Sequence, residues 1–177
     1  MNRFLFRSVL PLAVGVAMSI TSVVHADAAC ELSPLRLPLF DGTPVAELAN
    51  PSTPAAVPDI DEAEIQSALE QFAACTNTGD PRLAWAMFSP HWFATTFSDP
   101  TVHYLPAFEQ MLAGPRVVHD SPLQLAGVDA VTPLPDGRVE VTATYTSGDE
   151  SWTDILTLVV IDGNWMIDDA HPSTPAQ

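Results

Sequence analysis

The chain has 177 residues, with 22 Asp or Glu against only six Lys or Arg, for a formal net charge of −16. So strong a negative field argues against nucleic acid or anionic lipid surfaces as partners, and its simplest role is solubility outside the cell. The length suits one domain with a core of its own.

The first residues read as a secretory signal peptide. Arg3 and Arg7 supply a positive start, Val9 to Val24 is apolar with Ser19, Thr21 and Ser22 as its polar members, and small residues at 24–26 and 26–28 fit cleavage after Ala26 or Ala28. The apolar run is shorter than the roughly 20 residues of a membrane span and Pro11 interrupts it. Residues 1–26 are therefore expected to be removed, with the protein secreted or periplasmic and carrying no membrane attachment afterwards. Two of the six bases and none of the acids leave with them, so four arginines (Arg36, Arg82, Arg116 and Arg138) face 22 acids, a net charge of about −18. Cys30 lacks the aliphatic residue three positions earlier that bacterial lipidation wants, since Asp27 stands there. It reads as structural, and in an exported chain it has one possible partner, Cys75.

Residues 27–58 form a proline-rich extension and linker, with Pro34, Pro38, Pro44, Pro51, Pro54 and Pro58 excluding a long helix or a central strand. Within it, Leu35 to Phe40 is apolar enough to lie against the domain, which is expected over 59–171 with a short tail at 172–177. Asp61, with Glu64 three residues later, predicts a helix N-terminus. Ile65, Leu69, Phe72 and Ala73 then make one buried stripe. Asp80-Pro81 opens a second helix with Leu83, Ala84, Met87 and Phe88 on its apolar face, and the pair is expected as an αα-hairpin. Ser89 to Ser98 reads as a short strand or an irregular loop. A third helix is expected over Leu105–Ala113, stopped by Gly114-Pro115. Four strands follow, at Leu123–Thr132, Arg138–Thr146, Trp152–Ile161 and Asn164–Asp168, joined by turns containing Gly137, Gly148 and Gly163. Helices first and an antiparallel meander afterwards give an α+β fold with helices on one sheet face.

Three pieces between Ile60 and Asp169 carry a family resemblance. They are the first helix running into Gly79-Asp80, the segment Gly137-Arg-Val-Glu-Val-Thr-Ala-Thr-Tyr145, and Ile155-Leu-Thr-Leu-Val-Val-Ile-Asp-Gly-Asn-Trp-Met-Ile-Asp168. Together they resemble the NTF2-like superfamily, also called the SnoaL-like or ketosteroid-isomerase-like fold. The resemblance implies a cone, a bent antiparallel sheet wrapped around the N-terminal helices, and often an apolar cavity inside it. Phe72, Trp85, Phe88, Trp92, Phe97, Tyr104 and Phe108 then become the candidate cavity lining. Ketosteroid isomerase uses an Asp base, a Tyr and a protonated Asp, as the standard account of that enzyme has it. By resemblance Asp99 stands for the base, but Phe72 occupies the Tyr position and Thr157 that of the second Asp. A base without its oxyanion donors forfeits a large part of catalysis.

The remaining chemistry is sparse. Asp168, Asp169 and His171, or His119 with Asp120, have no recognised metal-ligand spacing, and neither a phosphate loop nor a nucleophile elbow is present. No metal or cofactor is expected. The sequence thus points to a non-catalytic domain that binds a small apolar ligand or forms a homodimer through its sheet face. The alternative is an isomerase, cyclase or dehydratase with Asp99 as base and His103 or Tyr104 assisting.

Overall fold

The computed structural model describes residues 29–40, 60–98, 104–117 and 120–173. Residues 1–28 and 41–59, with most of the expected signal peptide and linker, and Asp99, His103 and His119 lie outside these residues.

Helix α1, Glu62–Asn77, begins where the side chain of Asp61 accepts the Ala63 N–H at 2.9 Å. Its stripe of Ile65, Leu69 and Ala73 is buried, and Phe72 packs edge-on against Phe88 and Tyr145. The helix ends at Gly79, whose φ of 69° is a left-handed conformation; a side chain there would run into the carbonyl of Val117, which crosses directly over it. Asn77 then fastens α1 to the sheet, donating to the Leu123 carbonyl at 2.8 Å and accepting the Leu123 N–H at 2.7 Å.

Helix α2 is a single turn, Pro81–Ala84, capped by Asp80. The expected continuation through Met87 and Phe88 does not occur, so the second arm of the expected αα-hairpin is one turn packed against α1. Pro90 pushes the residue before it into extended backbone. The strand edge then takes the freed groups: Ile167 N–H donates to the Met87 carbonyl, Ser89 N–H donates to the Ile167 carbonyl, each at 2.8 Å, and Phe88 forms a parallel bridge with Ile167. Ser89 to Ser98 also departs from expectation. Pro90–Thr96 is helix α3, with Ser89 as its cap and Pro90 at its first turn, the same device that opens α2. Helix α4, Leu105–Leu112, stops at Ala113 before Gly114.

The sheet consists of β1 (Leu123–Pro133), β2 (Val139–Ser147), β3 (Glu150–Ile161) and β4 (Asn164–Pro172), antiparallel and in chain order. Alternation along β2 sorts its two faces. Val139, Val141, Ala143 and Tyr145 are buried with Leu156, Leu158 and Ile167, and they meet Ile65 and Leu69 of α1. The opposite face carries Glu140, Thr142, Thr144 and Thr146. Strand β4 runs four residues beyond the expected Asp168 because it contains a bulge: Thr157 pairs with Asp169 and Leu158 with Ile167, leaving Asp168 without a partner residue.

The segment over 29–40 lies against the domain, as expected for Leu35 to Phe40. A disulfide joins Cys30 to Cys75 near the end of α1, closing a separation of 45 residues, a constraint worth on the order of 3–4 kcal/mol in the chain-entropy account. Leu35 N–H donates to the Arg82 carbonyl at 3.2 Å, Leu39 N–H to a Glu109 carboxylate oxygen at 2.8 Å, and Leu32, Leu35, Leu39 and Phe40 pack on the core.

Candidate functional site

The aromatic residues expected to line a cavity mostly pack on each other. Trp85 stands 4.7 Å from Phe88, 5.2 Å from Trp92 and 5.2 Å from Phe108, while Phe97 stands 5.0 Å from Phe108. Phe93 bridges Trp92 and Phe108, and Phe72 links the stack to Tyr145. Edge-on and tilted rings at these spacings make favourable contacts and occupy the space between helices and sheet. Tyr104 stands apart, 66% exposed at the entrance to α4, without a side-chain capping bond. Asp99 and His103, the other two candidate catalytic residues, lie outside the described residues.

Open space flanks the stack on two sides. The larger groove, about 470 Å³, runs between the end of α1, α2 and the end of α4. Pro81, Ala84, Trp85, Met111, Pro115 and Val117 give it apolar walls, with Thr76, Gly79 and Gly114 between them. Met111 and Val117 are among the large apolar side chains left exposed. A pocket of a few hundred cubic ångströms with apolar walls and few polar groups has the dimensions of a small-molecule site. The second groove, about 390 Å³, lies beneath the 35–40 segment and is lined by Leu35, Arg36, Leu39, Phe40, Phe88, Phe93 and Met166.

Asp80 is the buried polar group of the larger groove. It caps α2 through the Arg82 N–H at 3.0 Å, and its carboxylate lies 3.4 Å from the Arg82 guanidinium and 3.7 Å from that of Arg116. Burial pushes the Asp80 carboxyl up, but the hydrogen bonds from Arg82 and the charges of Arg82 and Arg116 outweigh it and hold it below the usual carboxylate value.

A polar cluster missed in the sequence sits where α3 meets β4. The bulge turns Asp168 inward beside Ile167, and the carboxylate gathers three partners. Ser89 Oγ donates to it at 2.6 Å, Arg138 Nη1 donates at 3.0 Å, and His91 Nδ1 lies 3.1 Å away, off the line of a hydrogen bond. Arg138 also donates to Asp136 from Nη2 at 2.7 Å and from Nε at 2.9 Å, which holds the Asp136 carboxyl low and the guanidinium charged. Serine, histidine and aspartate are all present, but nucleophilic catalysis needs the histidine between the other two. Here the fully buried Ser89 hydroxyl donates to the carboxylate and accepts the Trp92 N–H at 2.9 Å. The arrangement locks a helix cap to a strand. Asp169 and His171 pair with each other at 2.9 Å as exposed side chains, apart from buried Asp168, so the three do not converge.

A second polar pair lies on the inner sheet face. Tyr145 has a buried hydroxyl without a hydrogen-bond partner among the described residues. Burial, reinforced by the charge of Asp154, pushes its phenol well above the ordinary value, and burial likewise raises the Asp154 carboxyl. Thr157, the position aligned with an oxyanion donor, alternates with buried Leu156 and Leu158 and pairs with Glu140.

Comparison with family models, with curated proteins and with solved structures finds no match.

Proposed function

We propose that this chain is an exported, non-catalytic domain of the NTF2-like kind that holds a small apolar ligand in the groove between α1, α2 and α4. The 470 Å³ groove, with Trp85, Met111, Pro81 and Pro115 among its walls, carries this reading. The leader-like start of the chain and the Cys30–Cys75 bridge support export, since such bonds persist in oxidising compartments. Helices followed by a four-stranded antiparallel meander, with the helices on one face, support the family reading. The aromatic stack fills the middle of the molecule, so the ligand site moves from a central cavity to its flank. A homodimer through the sheet draws less support, because that face presents Glu140, Thr142, Thr144 and Thr146 where a stable interface wants an apolar centre.

The test is a titration of the protein, purified from the export pathway of an expression host, with N-phenyl-1-naphthylamine as a neutral apolar probe. Saturable binding that quenches Trp85 is expected. Ala84→Phe, which fills the groove, should weaken it at least about tenfold while leaving the near-ultraviolet circular dichroism intact. Absence of saturable binding, or equal binding by the folded variant, would overturn the reading.

A further inference from the structure

We propose that the ligand of this groove is an anionic amphiphile, an apolar body ending in a single negative group that Arg82 and Arg116 receive. The inference rests on the apolar-groove reading and adds the charge of the ligand. Arg82 belongs to α2 and Arg116 follows α4, two elements that border the groove, and both converge on one carboxylate oxygen of the groove-lining Asp80. Their side chains are 43% and 69% exposed, against 7% for Asp80. Two positive charges therefore meet one negative charge beside the groove, and both guanidinium groups keep N–H donors beyond those that face Asp80. Arg116 stays beyond hydrogen-bond distance of Asp80 at 3.7 Å, leaving its fork free to take a carboxylate in the two-point geometry arginine favours.

The scarcity of bases gives this placement weight. In a chain of net charge −16, Arg138 is taken up by Asp136 and Asp168, and Arg36 lines the second groove. The other two arginines among the described residues both reach Asp80, which lines the larger groove. A cationic amphiphile would meet them unfavourably, and a neutral one would leave their donors to water.

Three probes with a ten-carbon chain separate the possibilities: decanoate, decanol and decyltrimethylammonium, each displacing N-phenyl-1-naphthylamine at about pH 7.5. Decanoate is expected to bind about tenfold more tightly than decanol, and decyltrimethylammonium more weakly than either. Arg116→Gln, an exposed substitution that leaves Asp80 with Arg82, should remove the advantage of decanoate and leave decanol unchanged. Arg116→Lys should restore part of it, because lysine keeps the charge without the planar fork. Equal affinity of decanoate and decanol, or an equal loss of both in Arg116→Gln, would overturn the anionic assignment while the apolar groove stands. Failure of all three probes and of the neutral reporter would remove the groove reading itself.

Discussion

Tyr145 carries the largest fully buried side chain of the core, yet its hydroxyl has no hydrogen-bond partner among the described residues. An unsatisfied buried donor costs about 1–3 kcal/mol, whereas an apolar replacement of the same shape avoids that cost. Tyr145→Phe is therefore expected to leave stability unchanged or raise it by about 1 kcal/mol in urea denaturation. The pH dependence has a definite sign. The phenol titrates higher folded than its ordinary value of 10.0, because burial and then the Asp154 charge oppose ionisation. Its contribution to stability is thus complete below pH 10 and is lost as pH rises toward the folded value. The parent should lose stability progressively above pH 10, and Tyr145→Phe should lose less; parallel pH profiles would contradict this account.

At the scale of elements, Asp168 fastens α3 to β4 and to the start of β2. It accepts from Ser89, which caps α3, and from Arg138, which precedes Val139. Its side chain is only 4% exposed, so removing it leaves a buried serine hydroxyl without its acceptor and Arg138 with Asp136 alone. Asp168→Ala should cost about 2–3 kcal/mol, a loss below about 1 kcal/mol by urea denaturation being inconsistent with the lock. The sequence carried little sign of it. Helix α1 and strand β2 were legible because their signals are local: a cap, a 3.6-residue stripe, a two-residue alternation. The Asp168 cluster depends on a bulge, and a register slip between β3 and β4 leaves no local trace. Met87 and Phe88 misled for the same reason. Their spacing from Leu83 and Ala84 suits a helix, but their backbone pairs with the distant Ile167. The α3 helix could have been found, since Ser89-Pro90 repeats the cap-and-proline signature of Asp80-Pro81.

Across the described residues as a whole, a disulfide-tied segment, four helices and a sheet enclose an aromatic core that leaves open volume at its flanks. The aromatic residues themselves were identifiable in the sequence, and the cavity they were expected to line came from the family resemblance alone. What the chain alone did not tell is that six of the seven would touch one another or their neighbours, because ring packing is decided by three-dimensional fit. The groove was equally hidden, since Gly79, Trp85, Met111 and Val117 come together only through the crossing of the 115–117 segment over the α1 turn, where Val117 N–H donates to the Gly79 carbonyl at 2.8 Å. Its walls join the helical half of the protein, whereas the polar outer sheet face lies away from it. The central claim, that this groove and not the core interior holds an apolar ligand, is tested most directly by amide and indole chemical-shift mapping during titration with decanol. The account predicts saturable shifts at Gly79, Ala84, Trp85, Gly114 and Val117, with Thr142, Thr144 and Thr146 unmoved. Shifts centred instead on Leu39, Phe40 and Met166 of the second groove, or no saturable shifts, would contradict it.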